Sequence, residues 1–184
     1  YRAKNGHIGG DFSVMEILVD LYCKQMNVTP ENFRDADRDR FILSKGHAVE
    51  ALYAVLADRG FFPKEDLETF SQTGSKYISH PTNKINGIEM NTGSLGHGMG
   101  LATGMALALK KDGKPNRVFV MTGDGELAEG SNWEAAMSAA KFGLTNLTWI
   151  IDRNHLQISG NTEDVMPLEN LHAKAEAFGF HVIE

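Results

Sequence analysis

The strongest constraint on the fold comes from two short apolar runs, residues 117–122 and 147–152. Each stops at a polar segment, and a helix-patterned stretch at 132–142, closed by Gly143, lies between them. Strands that alternate with helices in this way are joined by right-handed crossovers and form a parallel sheet covered on both faces. The expected class is therefore α/β, a three-layer α/β/α arrangement around a mainly parallel sheet. A further helix at 168–178, closed by Gly179, predicts a third strand at 180–183.

The first half is less regular. Ser13-Val14-Met15-Glu16 has the form of a capping box, and Val14, Ile17, Leu18, Leu21 and Tyr22 follow with helical spacing, which predicts a helix to about Met26. Residues 40–43 read as a strand, 48–59 as a helix closed by Gly60, and 63–70 as a short helix with Pro63 in its first turn. A helix at 95–111 ends at Asp112-Gly113.

Ligands of open parallel sheets collect beyond the carboxyl ends of the strands. There the first apolar run enters Thr122-Gly123-Asp124-Gly125-Glu126, and the second enters Arg153-Asn154-His155-Leu156. Neighbouring strands lie ~4.8 Å apart, so Asp124 and Asn154 would share one edge. A carboxylate and an amide oxygen make a hard-oxygen site, suited to Mg²⁺ or Ca²⁺ and not to zinc. Too few ligands are present for an all-protein cage, and Mg²⁺ usually completes its shell with phosphate oxygens and water. Gly123 and Gly125 permit close approach of a phosphate. Together they predict a metal-bridged diphosphate. Gly123 to Ala128 also fits the dinucleotide pattern G-x-G-x-x-A, with Asp152 placed where a ribose-binding acid could sit. Against that pattern, Asp124, Glu126 and Glu129 would surround a pyrophosphate with acids, which requires a cation. A plain Gly-Asp-Gly turn is the third reading.

Composition narrows the partners. Of the 184 residues, 18 are Lys or Arg and 24 are Asp or Glu, a net charge of −6 that argues against a nucleic-acid or anionic-membrane surface. The apolar share of 42% suits a globular core. A lone cysteine, Cys23, excludes an internal disulfide and fits a reducing, cytoplasmic compartment. Residues 91–109 carry no charge, yet their glycines with Asn91, Ser94 and His97 point to a loop and a buried helix, not a membrane span. The start at Tyr1 and the last strand stopped at Glu184 predict a piece of a longer subunit.

Gly-Asp-Gly followed about thirty residues later by Asn154 matches the thiamine diphosphate fingerprint. The longer string GDGELAEGSNWEAAMSAAKFGLTNLTWIIDRNHLQISGNTEDVMPLE resembles transketolases, above all the amino-terminal subunit of the split type. NGHIGG, LSKGHA, ISHPTNK, NTGSLGHGMG and AFGFHVIE extend the similarity over nearly the whole chain. Beside it the dinucleotide reading is remote.

The resemblance implies the diphosphate-binding domain of the thiamine diphosphate-binding fold over residues 1–184, without the pyrimidine-binding domain. It puts Asp124, the Asn154 side chain and the Leu156 carbonyl on Mg²⁺, or Ca²⁺ in its place. Gly123, Gly125 and Glu126 belong to the cofactor loop, with the Gly125 N–H on the diphosphate. Ile158 would lie against the thiazolium, with Gly93 and Leu95 near the ring junction. His7, His47 and His80 would line the thiazolium and donor channel, His47 on the diphosphate and the other two on sugar hydroxyls and the carbonyl oxygen. His97 departs from the family pattern, where Gln often stands, and either tunes donor choice or packs. His155, His172 and His181 read as structural or exposed. Glu129 and Glu134 would lie at a subunit interface in a proton-relay network, and Trp133 beside them reads as a buried contact. Lys45 either steers an anionic ligand or is a solvated lysine.

The implied activity is transfer of a two-carbon ketol unit from a ketose phosphate to an aldose, in the pentose phosphate pathway. A glutamate on a pyrimidine-binding partner subunit would activate the cofactor, in a dimer of such pairs, and the chain alone would not turn over. Dihydroxyacetone synthase, deoxyxylulose-phosphate synthase and sulfo-sugar transketolase share the fingerprint. A non-catalytic cofactor-binding homologue is the reading from a different class.

Overall fold

The computed structural model describes residues 3–184. Three parallel strands form one sheet in the order β1 (Arg40–Leu43), β2 (Val118–Gly123), β3 (Leu147–Asp152). In register, Leu43 stands opposite Met121 and Gly123 opposite Asp152. All six residues of β2 are buried, as a central strand between two covered faces requires.

The strand period of two sorts the core into two clusters. Phe41, Leu43, Phe119 and Met121 face one layer, made by α1 (Ile8–Asp20) and α2 (Val49–Asp58). Ile42, Val118 and Val120 face the other, made by α3 (Gly98–Lys111) and α4 (Gly130–Lys141). This is the expected three-layer arrangement. A small antiparallel hairpin follows β3, with β4 at Leu156–Gln157 and β5 at Gly160–Asn161. Two short helices, α5 (Thr162–Val165) and α6 (Leu171–Ala177), come next.

Several boundaries differ from the sequence reading. The helix expected from Ser13 begins at Ile8, and its last turn, Leu21–Gln25, widens to π geometry. Ser13 is therefore no cap; its hydroxyl is drawn to Asp152 at 2.6 Å, a contact across the fold. The segment 63–70 is a 3₁₀ turn, Lys64–Thr69. Helix α2 closes as expected, with Gly60 in the left-handed region at φ +83°. The uncharged stretch divides into a loop and α3, and no helix among the described residues is long and apolar enough to cross a membrane.

The third strand expected at 180–183 does not form. Those residues lie beside β3 without entering a ladder. Phe180 packs edge-to-face against Trp149 with ring centroids 5.4 Å apart, so side-chain packing is made while backbone pairing is not. A cavity of about 650 Å³ is lined by this segment and by Leu147, Trp149 and Ile151 of β3.

Candidate diphosphate and metal site

The carboxyl ends of the three strands gather the expected polar residues. Past β2, Asp124 is fully buried. Its Oδ1 accepts the Gly125 N–H at 2.8 Å and its Oδ2 the His155 N–H at 2.7 Å. Arg153 donates to the same Oδ2 at 3.2 Å. A buried carboxylate without a cation is costly, and here a guanidinium lies against it. The same Arg153 also binds Glu163 and Glu169, both at 2.8 Å, and so ties the segment after the hairpin to the site. Nothing in the sequence distinguishes Arg153, which carries no motif of its own in the strand-end loop; the fold alone sets it on Asp124.

Past β3, Asn154 donates from Nδ2 to Asp152 at 2.9 Å, and its Oδ1 accepts the Leu156 N–H at 2.9 Å. Asp124 and Asn154 thus lie beyond adjacent strand ends, with the Leu156 backbone next to them. This donor set of one carboxylate, one amide oxygen and carbonyls suits a hard cation shared with phosphate oxygens. Consistent with a single carboxylate, no group of three His, Cys, Asp or Glu side chains among the described residues could hold a metal.

The glycines fit a close backbone approach. A Cβ on Gly125 would fall 2.8 Å from the Gln157 Cβ, and one on Gly93, at φ +120°, 2.2 Å from the His80 ring. Glu126 is buried, and its carboxylate joins the loop after β1 and the loop before α3 to the end of its own strand β2. It accepts from the Ser44 hydroxyl, from Gly96 N–H at 2.8 Å and from Gly123 N–H at 3.0 Å. Burial pushes its carboxyl above the usual range, against the pull of these donors. Leu95 is partly exposed on the same loop as Gly96. Ile158 stands fully exposed in the turn between β4 and β5.

The histidines of three loops meet. The His7 ring lies 5.4 Å from that of His47 and 6.4 Å from that of His80. Burial, then the charges of Lys45, His7 and His80, holds His47 down at about 4. Burial and His7 lower His80 as well. His47 is therefore a neutral imidazole at neutral pH. His97 is exposed, its Nδ1 3.3 Å from the Leu95 carbonyl oxygen. His155 contributes only its backbone here, at φ +62°. His172 pairs with Glu184 at 2.9 Å, which raises its pKa, and His181 is exposed.

Two expectations need correction. Lys45 is not a solvated lysine: it is 1% exposed and forms a buried ion pair with Asp152. Asp152 is engaged by Ser13, Lys45 and Asn154 and leaves no free face for a ribose. Glu129 and Glu134 are both exposed, whereas Trp133 is partly buried, donating to the Leu127 carbonyl at 2.9 Å and packing on Phe178.

Comparison with known proteins identifies the family. A family model, the transketolase thiamine diphosphate binding domain, matches residues 1–184. One subunit of the apulose-4-phosphate transketolase of Phocaeicola vulgatus is 50% identical over 184 residues, 100% of this chain and 66% of that protein. The 6-deoxy-6-sulfo-D-fructose transketolase subunit SqwG of Clostridium sp. is 47% identical over 178 residues, 96% of this chain and 65% of that protein. Transketolase from Leishmania mexicana superposes with a TM-score of 0.89 at 33% identity, over 99% of this chain and 29% of that one. The chain thus spans about two thirds of the length of these two bacterial relatives. Matched over its whole length, it belongs to the transketolase family as a thiamine diphosphate-binding domain.

Proposed function

We propose that the chain is the diphosphate-binding part of a split transketolase, which moves a two-carbon ketol unit from a ketose phosphate to an aldose with thiamine diphosphate and Mg²⁺. The observation that carries this reading is convergence at one sheet edge: Asp124 and Asn154 past adjacent strands, beside the loops that bring His7, His47 and His80 together.

Asp124, the Asn154 oxygen and the Leu156 carbonyl would hold Mg²⁺, and Gly123 and Gly125 would bring backbone to the diphosphate. When bound, thiamine diphosphate supplies the nucleophilic carbon and the electron sink for cleaving the ketol bond. Neutral His47 would hydrogen-bond the diphosphate without adding charge. His7 and His80 would hold the sugar hydroxyls and carbonyl oxygen and move protons there, since an imidazole carries both a donor and an acceptor nitrogen. Gly93, Leu95 and Ile158 would line the ring side of the cofactor, and Glu126 would keep the loop of Leu95 in place. Glu129 and Glu134, on the open surface, would meet a pyrimidine-binding partner subunit in a dimer of such pairs. Cys23, exposed and unpaired, suits a cytoplasmic setting. The relatives named for apulose 4-phosphate and sulfofructose favour a donor among ketoses with an anionic end, beyond the pentose phosphate pathway.

Ketol transfer is expected when the chain is combined with a pyrimidine-binding subunit, and not without one. Asp124→Ala should abolish Mg²⁺-dependent cofactor binding in calorimetry on the assembled protein. Wild-type affinity in that variant would overturn the assignment, and turnover by the chain alone would overturn the need for a partner.

A further inference from the structure

The Asp152 carboxylate has no role in the reading above, yet three elements meet on it. It ends β3 and is 5% exposed. Its Oδ1 accepts the Ser13 hydroxyl of α1 at 2.6 Å. Its Oδ2 accepts Lys45 Nζ from the loop after β1 and Asn154 Nδ2 at 2.9 Å. Among the described residues, no other carboxylate at this edge accepts from the Asn154 amide.

An asparagine amide is a rigid plane with a donor end and an acceptor end. Asp152 takes the donor end. The oxygen of Asn154 is thereby fixed on the opposite side, where the Leu156 N–H meets it. A flipped amide would set its oxygen against Oδ2 of Asp152, acceptor facing acceptor. The Lys45 ammonium neutralises the buried carboxylate, which would otherwise be costly. In return Lys45 is held beside the glycine loop, where a Cβ on Gly123 would lie 3.9 Å from its stem.

We propose that Asp152 is a positioning residue of the diphosphate–metal site, acting through Asn154: it pins the amide so that the oxygen faces the cation, and its buried ion pair with Lys45 keeps it charged for that task. The inference rests on the metal reading of Asp124 and Asn154. An aspartate is required because three donors converge on its two oxygens; an asparagine would offer one oxygen and turn an N–H₂ toward donors.

The test is Mn²⁺ binding to the assembled protein, read by electron paramagnetic resonance at saturating thiamine diphosphate. Asp152→Asn should weaken Mn²⁺ about tenfold or more, the usual range for groups that orient a metal ligand. Asn154→Asp should also weaken it, although it adds negative charge, because two carboxylates then face each other. Combining the two substitutions restores a donor–acceptor pair in reversed order and should recover most of the loss. A residue that only packs would give no such recovery. Ser13→Ala, which leaves the Asn154 and Lys45 contacts intact, should bind Mn²⁺ like the wild type.

Wild-type binding by Asp152→Asn, or a combined variant no better than the single ones, would overturn the proposal while Asp124→Ala still lost the metal. Undiminished binding by Asp124→Ala would instead sink the metal reading itself. If Asp152→Asn does not fold, Asn154→Asp decides: equal or tighter Mn²⁺ binding means that no pinning is needed, and weaker binding supports it.

Discussion

At the scale of single residues, the site is held by groups whose protonation burial controls. His47 sits at about 4 in the folded chain, against an ordinary value of 6.5. Below the ordinary value the unfolded chain takes up a proton that the folded chain refuses. Stability that is fully present above pH 6.5 is therefore lost as the pH falls toward 4. His80, lowered by burial and by His7, adds to this loss in the same direction. Urea unfolding at pH 7 and pH 5 should show the decline, and His47→Asn should flatten it. An unchanged slope in that variant would remove His47 as the cause. Asp124 and Asn154 were legible in the sequence because each closely follows a strand, so a local pattern places it. Lys45 was not legible, because its loop context is equally that of a solvated side chain, and only its buried partner Asp152 decides the matter.

At the scale of elements, the loops after β1 and before α3 depend on Glu126. Helix periodicity and strand alternation are carried by sequence neighbours, and most elements were readable from them. The binding of loops to one another was not, since Ser44 and Glu126 stand 82 residues apart. Glu126→Ala would leave the Gly96 and Gly123 N–H groups and the Ser44 hydroxyl without an acceptor, at a cost of about 2–4 kcal/mol. Amide hydrogen exchange at Gly96 and Gly123 should speed up, and cofactor affinity should fall with it. Unaltered protection at Gly96 would show that the loop is held by other contacts. The element that failed, the strand at 180–183, has the right composition. Its backbone groups nevertheless do not pair with β3, because composition fixes a preference and not a partner.

At the scale of the whole molecule, two cores grip the sheet from opposite faces and leave the carboxyl edge to the loops. Ligand binding at such an edge stabilises the fold by mass action, by about 2.7 kcal/mol at a hundredfold excess over the dissociation constant. Thiamine diphosphate with Mg²⁺ should therefore raise the melting temperature of the assembled protein. Chelating the metal should erase the rise, and adding it back should restore it. A rise that survives chelation would mean that the diphosphate binds without a metal bridge.

The sequence by itself determined the layered α/β class, the strand-end edge that carries Gly-Asp-Gly and Asn154, and the family. Each of these rests on order and spacing along the chain. Only the tertiary structure decided that Ser13, 139 residues before Asp152, serves that carboxylate instead of a helix end. It likewise buried Lys45, brought His7 against His47 and His80, and set Arg153 on Asp124. The physical reason is that a backbone pattern is satisfied by near neighbours. A buried polar side chain is satisfied by whichever donor or acceptor the packed fold brings within about 3 Å.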